Sequence, residues 1–215
     1  MQSHPYEGGG KKIYTPITPS MHINLNYYIP YSYIINSLLV LVIILLWLFS
    51  LRVLKGDAKN PVNFYFALAG LMASFWLIGV IGYRNFHSPR LISWSSRLTY
   101  AAPVLIAFFN YLFAYYFPYR TFILSKRQVV VLVVATCLIF SITVFPYVLV
   151  YGNVWPQQRF KPEASLFWHG VFAVFYFTVN AYAFRNLFLK YSSADGIWRK
   201  RLKQVLIALF VGSIL

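Results

Sequence analysis

The apolar positions of this chain fall in long blocks. They show neither the alternation of a half-buried strand nor the one-sided stripe of a surface helix. Five blocks run over Tyr33–Leu51, Phe64–Tyr83, Leu98–Phe117, Val129–Tyr151 and Ser165–Phe188, and a sixth opens near Gln204. At 1.5 Å of rise per residue, about 20 residues cross a hydrocarbon core of about 30 Å. The five blocks have that length, so the pattern predicts an all-α polytopic transmembrane bundle of five complete spans plus the start of a sixth. The 12 residues from Gln204 to Leu215 reach roughly 18 Å. They are too few to cross, and the chain is expected to be a fragment or excised module of a longer protein.

Ahead of the first block, residues 1–30 are polar and aromatic, with Pro5, Pro16, Pro19 and Pro30 opposing regular structure. They are expected to form an extracytoplasmic segment without fixed structure, and residues 31–215 the bundle. Lys11 and Lys12 stand too far from the first block, and that block is too long, for a secretory signal. It reads as a retained anchor helix. Met21 offers a second possible start.

Composition agrees with the blocks. The chain is 60% hydrophobic and 11% charged, against about 45–50% and about 25% in soluble domains. Its net charge of +15 would suggest nucleic acid in a soluble protein, but here the basic residues sit in the connections between spans. Connections one, three and five hold Arg52, Lys55, Lys59, Arg120, Lys126, Arg127, Arg185, Lys190, Arg199, Lys200, Arg201 and Lys203, twelve in all. The opposite side holds seven: Lys11, Lys12, Arg84, Arg90, Arg97, Arg159 and Lys161. The excess predicts a cytoplasmic side for the odd connections and an outward N-terminus. No nucleic-acid partner is expected; the bilayer is the expected surroundings.

The spans carry few polar groups, and these are spaced to share faces. Ala67, Gly70 and Ser74 recur at helical spacing in the second span, and Pro103, Ala107, Asn110 and Ala114 in the third. His169, Ala173, Tyr176, Asn180 and Ala183 do so in the fifth. Small residues let helices approach and amides bond between them, so Asn110 and Asn180 are expected to point inward as packing glue or as the lining of a polar pocket. His169, beside Trp168 near the outer end, fits an interfacial anchor; it also fits a ligand contact that titrates near neutral pH. Trp76 lies at similar depth, as does Pro146, which would loosen the fourth helix. The candidate ligand-binding residues are therefore His169, Tyr176, Asn180, Asn110 and Trp76. Arg52, Arg120 and Arg185 fit snorkelling to headgroups.

Catalytic chemistry has little to work with. Glu7, Asp57, Glu163 and Asp195 are the acidic residues, all outside the spans, whereas proton-coupled transporters place carboxylates within the membrane. The four histidines stand far apart, and Cys137 is the single cysteine. Neither a Gly-rich phosphate loop nor a nucleophile elbow occurs. No catalytic residue, metal or cofactor is expected.

Several segments together resemble the N-terminal seven-transmembrane sensory region found ahead of bacterial histidine kinases and some diguanylate cyclases. They are Arg52-Val-Leu-Lys-Gly56, Asn63-Phe-Tyr-Phe-Ala-Leu68, Phe75-Trp76, Arg97-Leu-Thr-Tyr-Ala-Ala-Pro103, Phe108-Phe-Asn-Tyr-Leu-Phe-Ala114, Phe117-Pro118 and Gly196-Ile-Trp-Arg-Lys-Arg-Leu-Lys-Gln-Val-Leu206. The resemblance implies a sensor of the inner (plasma) membrane. It would detect an extracytoplasmic or membrane-borne cue and relay it by helix rearrangement to a cytoplasmic kinase or other output domain, then to a response regulator. It further implies a homodimer. The chain holds no phosphoacceptor segment, ATP-binding lobe or cyclase domain, so kinase activity would belong to a C-terminal region outside it. A fragment of a transporter or channel is the alternative, disfavoured by missing carboxylates and repeats. A lipid-processing enzyme with His169 as base is a third.

Overall fold

A computed structural model describes residues 25–118, 126–145, 149–154, 159–164 and 166–214. Within them the chain forms six helices: α1 (Leu25–Asp57), α2 (Pro61–Asn85), α3 (Pro89–Tyr116), α4 (Lys126–Val144), α5 (Leu166–Ser192) and α6 (Gly196–Ile214). A hairpin of β1 (Leu149–Val154) and β2 (Arg159–Ala164) joins α4 to α5. Its strands are antiparallel, with Leu149 opposite Ala164 and Val154 opposite Arg159. The expected disordered N-terminal segment lies outside the described residues up to position 24, and α1 already begins at Leu25, ahead of Tyr33.

Four helices, α1 to α4, are long and apolar enough to cross a membrane. The buried share of their most apolar windows rises from 6% in α1 through 17% in α4 and 22% in α2 to 39% in α3. This order identifies α3 as the central helix. Along α1, Leu38, Leu41, Leu45 and Leu48 all stand more than half exposed. An apolar surface of that extent is tolerated in lipid and not in water. Helix α5 spans 27 residues but falls outside the four, because His169, Asn180, Arg185, Asn186 and Lys190 interrupt its apolar run.

Two expectations need correction. The fourth helix ends at Val144 and not at Tyr151, and residues 149–151 pair in β1 instead. Pro146, expected to loosen this helix, lies outside the described residues. The bundle itself is all-helical, as expected, and the hairpin lies between α4 and α5. The sixth helix starts at Gly196 and not at Gln204. Gly196 takes φ +58°, a left-handed conformation open to glycine, and turns the chain sharply enough for the basic residues Arg199–Lys203 to lie on the helix itself.

Helix termini are fixed locally. Asn60 caps α2, its side chain accepting the Val62 N–H at 3.0 Å, with Pro61 in the first turn. The most intimate packing is between α2 and α3, where Gly79 and Gly82 on one helix approach Ser95 and Thr99 on the other. At Gly79 an added Cβ would lie 2.9 Å from Thr99 Oγ1, 3.0 Å from its backbone nitrogen and 3.1 Å from Ser95 oxygen. Only glycine admits backbone so close. Gly70 instead faces Ser50 of α1. Buried hydroxyls bond to their own helix: Ser74 donates to Gly70 oxygen (3.0 Å), Thr99 to Ser95 (2.9 Å) and Thr136 to Leu132 (2.7 Å). No hydroxyl among these three is left unsatisfied in an apolar surround.

Candidate functional site

Side-chain hydrogen bonds join α3 to α5 at two places along their seam. At the end where α3 begins, the Tyr100 hydroxyl and His169 Nε2 share a hydrogen bond of 2.7 Å. When Nε2 is unprotonated the phenol donates. The rings meet edge to face at 5.4 Å, and Tyr100 meets Phe172 likewise at 5.7 Å. Phe172 in turn stacks on Tyr176 at 6.1 Å. The aromatic set fixes the depth and rotation of α5 against α3.

At the opposite end the seam closes on Lys190, only 2% exposed. Its ammonium donates to the backbone oxygens of Ala114 (3.0 Å), Tyr115 (2.7 Å) and Phe117 (2.7 Å). The last carbonyls of a helix have no partner within it and carry its negative partial charge. Lys190 therefore caps α3 from α5, using all three of its N–H donors. It lies past Phe188, the end of the expected span, where burial pushes its pKa down to about 8. Three convergent acceptors favour the charged form, so the cap is cationic at neutral pH. Beside it Ala114, Ala183, Leu187, Ala194 and Leu202 join α3, α5 and α6 in one apolar cluster.

The structure brings some of the residues singled out in the sequence to this seam and leaves others elsewhere. His169 contacts α3 through Tyr100, and Tyr176 joins the same stack. Asn180 is buried, but its amide nitrogen donates to Tyr176 oxygen of its own helix at 2.9 Å. Asn110 is half-buried on α3. Trp76 is half-buried on α2, whose main neighbours are α1 and α3. The sequence reading missed Lys190, assigning it to a charged connection. The available signal was its place on the helical face of Ala183 and Leu187. Tyr100 carried no signal beyond its aromatic character. Among the described residues no group of three His, Cys, Asp or Glu gathers.

Comparison of the chain with protein-family models, with curated proteins and with solved structures gives no match. Fold and composition define the class without one: this is a multi-pass helical membrane protein.

Proposed function

We propose that the chain is the membrane-embedded sensory module of a histidine-kinase receptor, with α1 to α5 crossing the inner membrane, α6 beginning a further crossing, and the N-terminus outside. One observation carries the reading. Helix α5 is tied to α3 at both ends, by Tyr100 and His169 on one side of the membrane and by Lys190 on the other, and it then turns directly into α6. A cue that binds near His169 and prefers one placement of α5 shifts the bundle's equilibrium by its differential affinity for the two placements. A continuous helix transmits that displacement to the Lys190 cap and to α6. The sequence resemblance supplies the direction of output, toward a cytoplasmic kinase, with a response regulator following.

The test uses the protein encoded by the full reading frame in native membranes, with phosphoryl incorporation into its cytoplasmic region as the readout. His169→Ala and Asn180→Leu should each change the basal or stimulated level while the protein remains inserted. A reading frame without an ATP-binding region, or variants that signal as wild type does, would remove this reading.

A further inference from the structure

A second face of α5 carries a different feature. Turned away from the α3 seam, residues 170, 174, 178, 182, 185 and 189 line one wall of a groove of about 1420 Å³. The facing wall is α4, and α3 supplies the floor through Tyr111 and Tyr115. Helices α4 and α5 each pack on α3, and the groove lies open between them. Val131 and Val174, on opposite walls, are 66% and 69% exposed. No side chain among the described residues covers them.

The chemistry of the groove is graded along its length. One end holds Arg127 and Arg185, with Gln128 and Asn186 beside them and a Tyr111–Asn186 hydrogen bond across the floor. From there to Ile139 and Phe167 the lining is apolar apart from Thr178 and Tyr182. Arg127 lies in the first turn of α4, at the membrane boundary. From Arg127 to Ile139, both on α4, the helix rises roughly 18 Å, slightly more than one leaflet of a 30 Å core. Two guanidiniums at one end and an apolar trough at least one leaflet deep match an amphiphile with an anionic head and long acyl chains. Guanidinium pairs with phosphate through two parallel hydrogen bonds, and basic pockets between membrane helices suit anionic headgroups. An apolar helix laid in the same groove would bury both arginines without a counter-charge.

We propose that the groove between α4 and α5 binds an anionic phospholipid of the leaflet that Arg127 and Arg185 face, with its phosphate between the two arginines and an acyl chain along Val131, Leu138 and Val174. The lipid completes the packing of α4 against α5, which the described residues leave open. This holds whether or not the bundle signals.

The purified full chain in detergent, titrated with phosphatidylglycerol or phosphatidylcholine and followed by native mass spectrometry, tests the assignment. Wild type should retain one phosphatidylglycerol in preference to phosphatidylcholine, and millimolar inorganic phosphate should not displace it. The double variant Arg127→Gln/Arg185→Gln should bind it about tenfold more weakly or worse. Val174→Trp, which fills the trough and keeps both charges, should block binding while helix content is unchanged. Equal retention of the two lipids, displacement by inorganic phosphate, or unaltered binding in both variants would overturn the proposal. So would disulfide cross-linking of Val174→Cys between copies in bilayers, in a Cys137→Ser background, because the groove would then be covered by protein.

Discussion

Replacing Lys190 by methionine keeps the apolar stem and deletes the ammonium that closes the C-terminus of α3. The wild-type balance has two opposing parts. Burial works against the charge and lowers the pKa from 10.5 to about 8, which leaves the ammonium protonated at neutral pH. Against this stand three charge-assisted hydrogen bonds to Ala114, Tyr115 and Phe117, each contributing about 1.5–3 kcal/mol. Methionine leaves those three carbonyls without their donor in an apolar surround, and Lys190→Met should destabilise the bundle by about 2–5 kcal/mol. Lys190→Arg should not rescue it. Three acceptors converge on a single nitrogen here, and a planar guanidinium spreads its donors over three. The assay is reversible unfolding of the full chain in mixed micelles of increasing sodium dodecyl sulfate, followed by circular dichroism. Interhelical hydrogen bonds within bilayers average about 0.6 kcal/mol. A Lys190→Met loss of that size or less, or full rescue by arginine, would refute the capping argument.

The same unfolding assay separates two glycines. Gly79→Ala forces a Cβ against the Thr99 backbone and Ser95 oxygen and should cost about 1–3 kcal/mol; Gly70→Ala meets a single Ser50 hydroxyl that can rotate and should cost less than about 1 kcal/mol. Tyr100→Phe removes the bond to His169 and should cost about 0.5–1.5 kcal/mol, while shifting the His169 imidazole signal in nitrogen NMR; an unchanged histidine spectrum would mean that the bond is not made. The titration of Lys190 can be read by nitrogen NMR of labelled lysine, where its proton should leave near pH 8; retention above pH 10 would contradict the burial argument. Single cysteines at Lys59 and Ser193, in a Cys137→Ser background, should label from the cytoplasmic side and one at His87 from the outside; labelling of all three from one side would overturn the proposed topology.

Membrane character was legible in the sequence because the length of an apolar run is a local property, set by the thickness of the bilayer and the rise of a helix. The helix of the second span falls within a few residues of the block that predicted it, whereas α3 ends where expected but begins at Pro89, well ahead of Leu98. The fourth block misled because hydropathy alone gives valine, leucine and tyrosine the same value in a helix as in a strand. Small residues at helical spacing also announced close packing, yet spacing did not say which neighbour each would meet. Gly70 faces α1, whereas Gly79 faces α3.

The pairings were decided by tertiary structure alone. Tyr100 and His169 are 69 positions apart, and Lys190 reaches a carbonyl 76 positions away. A lysine near the end of a membrane helix has the same local sequence whether it snorkels to headgroups or caps another helix. The outcome depends on whether a foreign helix terminus lies within about 3 Å, the reach of a hydrogen bond. Likewise Arg127 and Arg185 read as two unconnected boundary charges until α4 and α5 stand on either side of α3 and place both at one end of a single groove. Sequence set which segments enter the bilayer. Only the packing of those segments against one another determined where their few polar groups would meet.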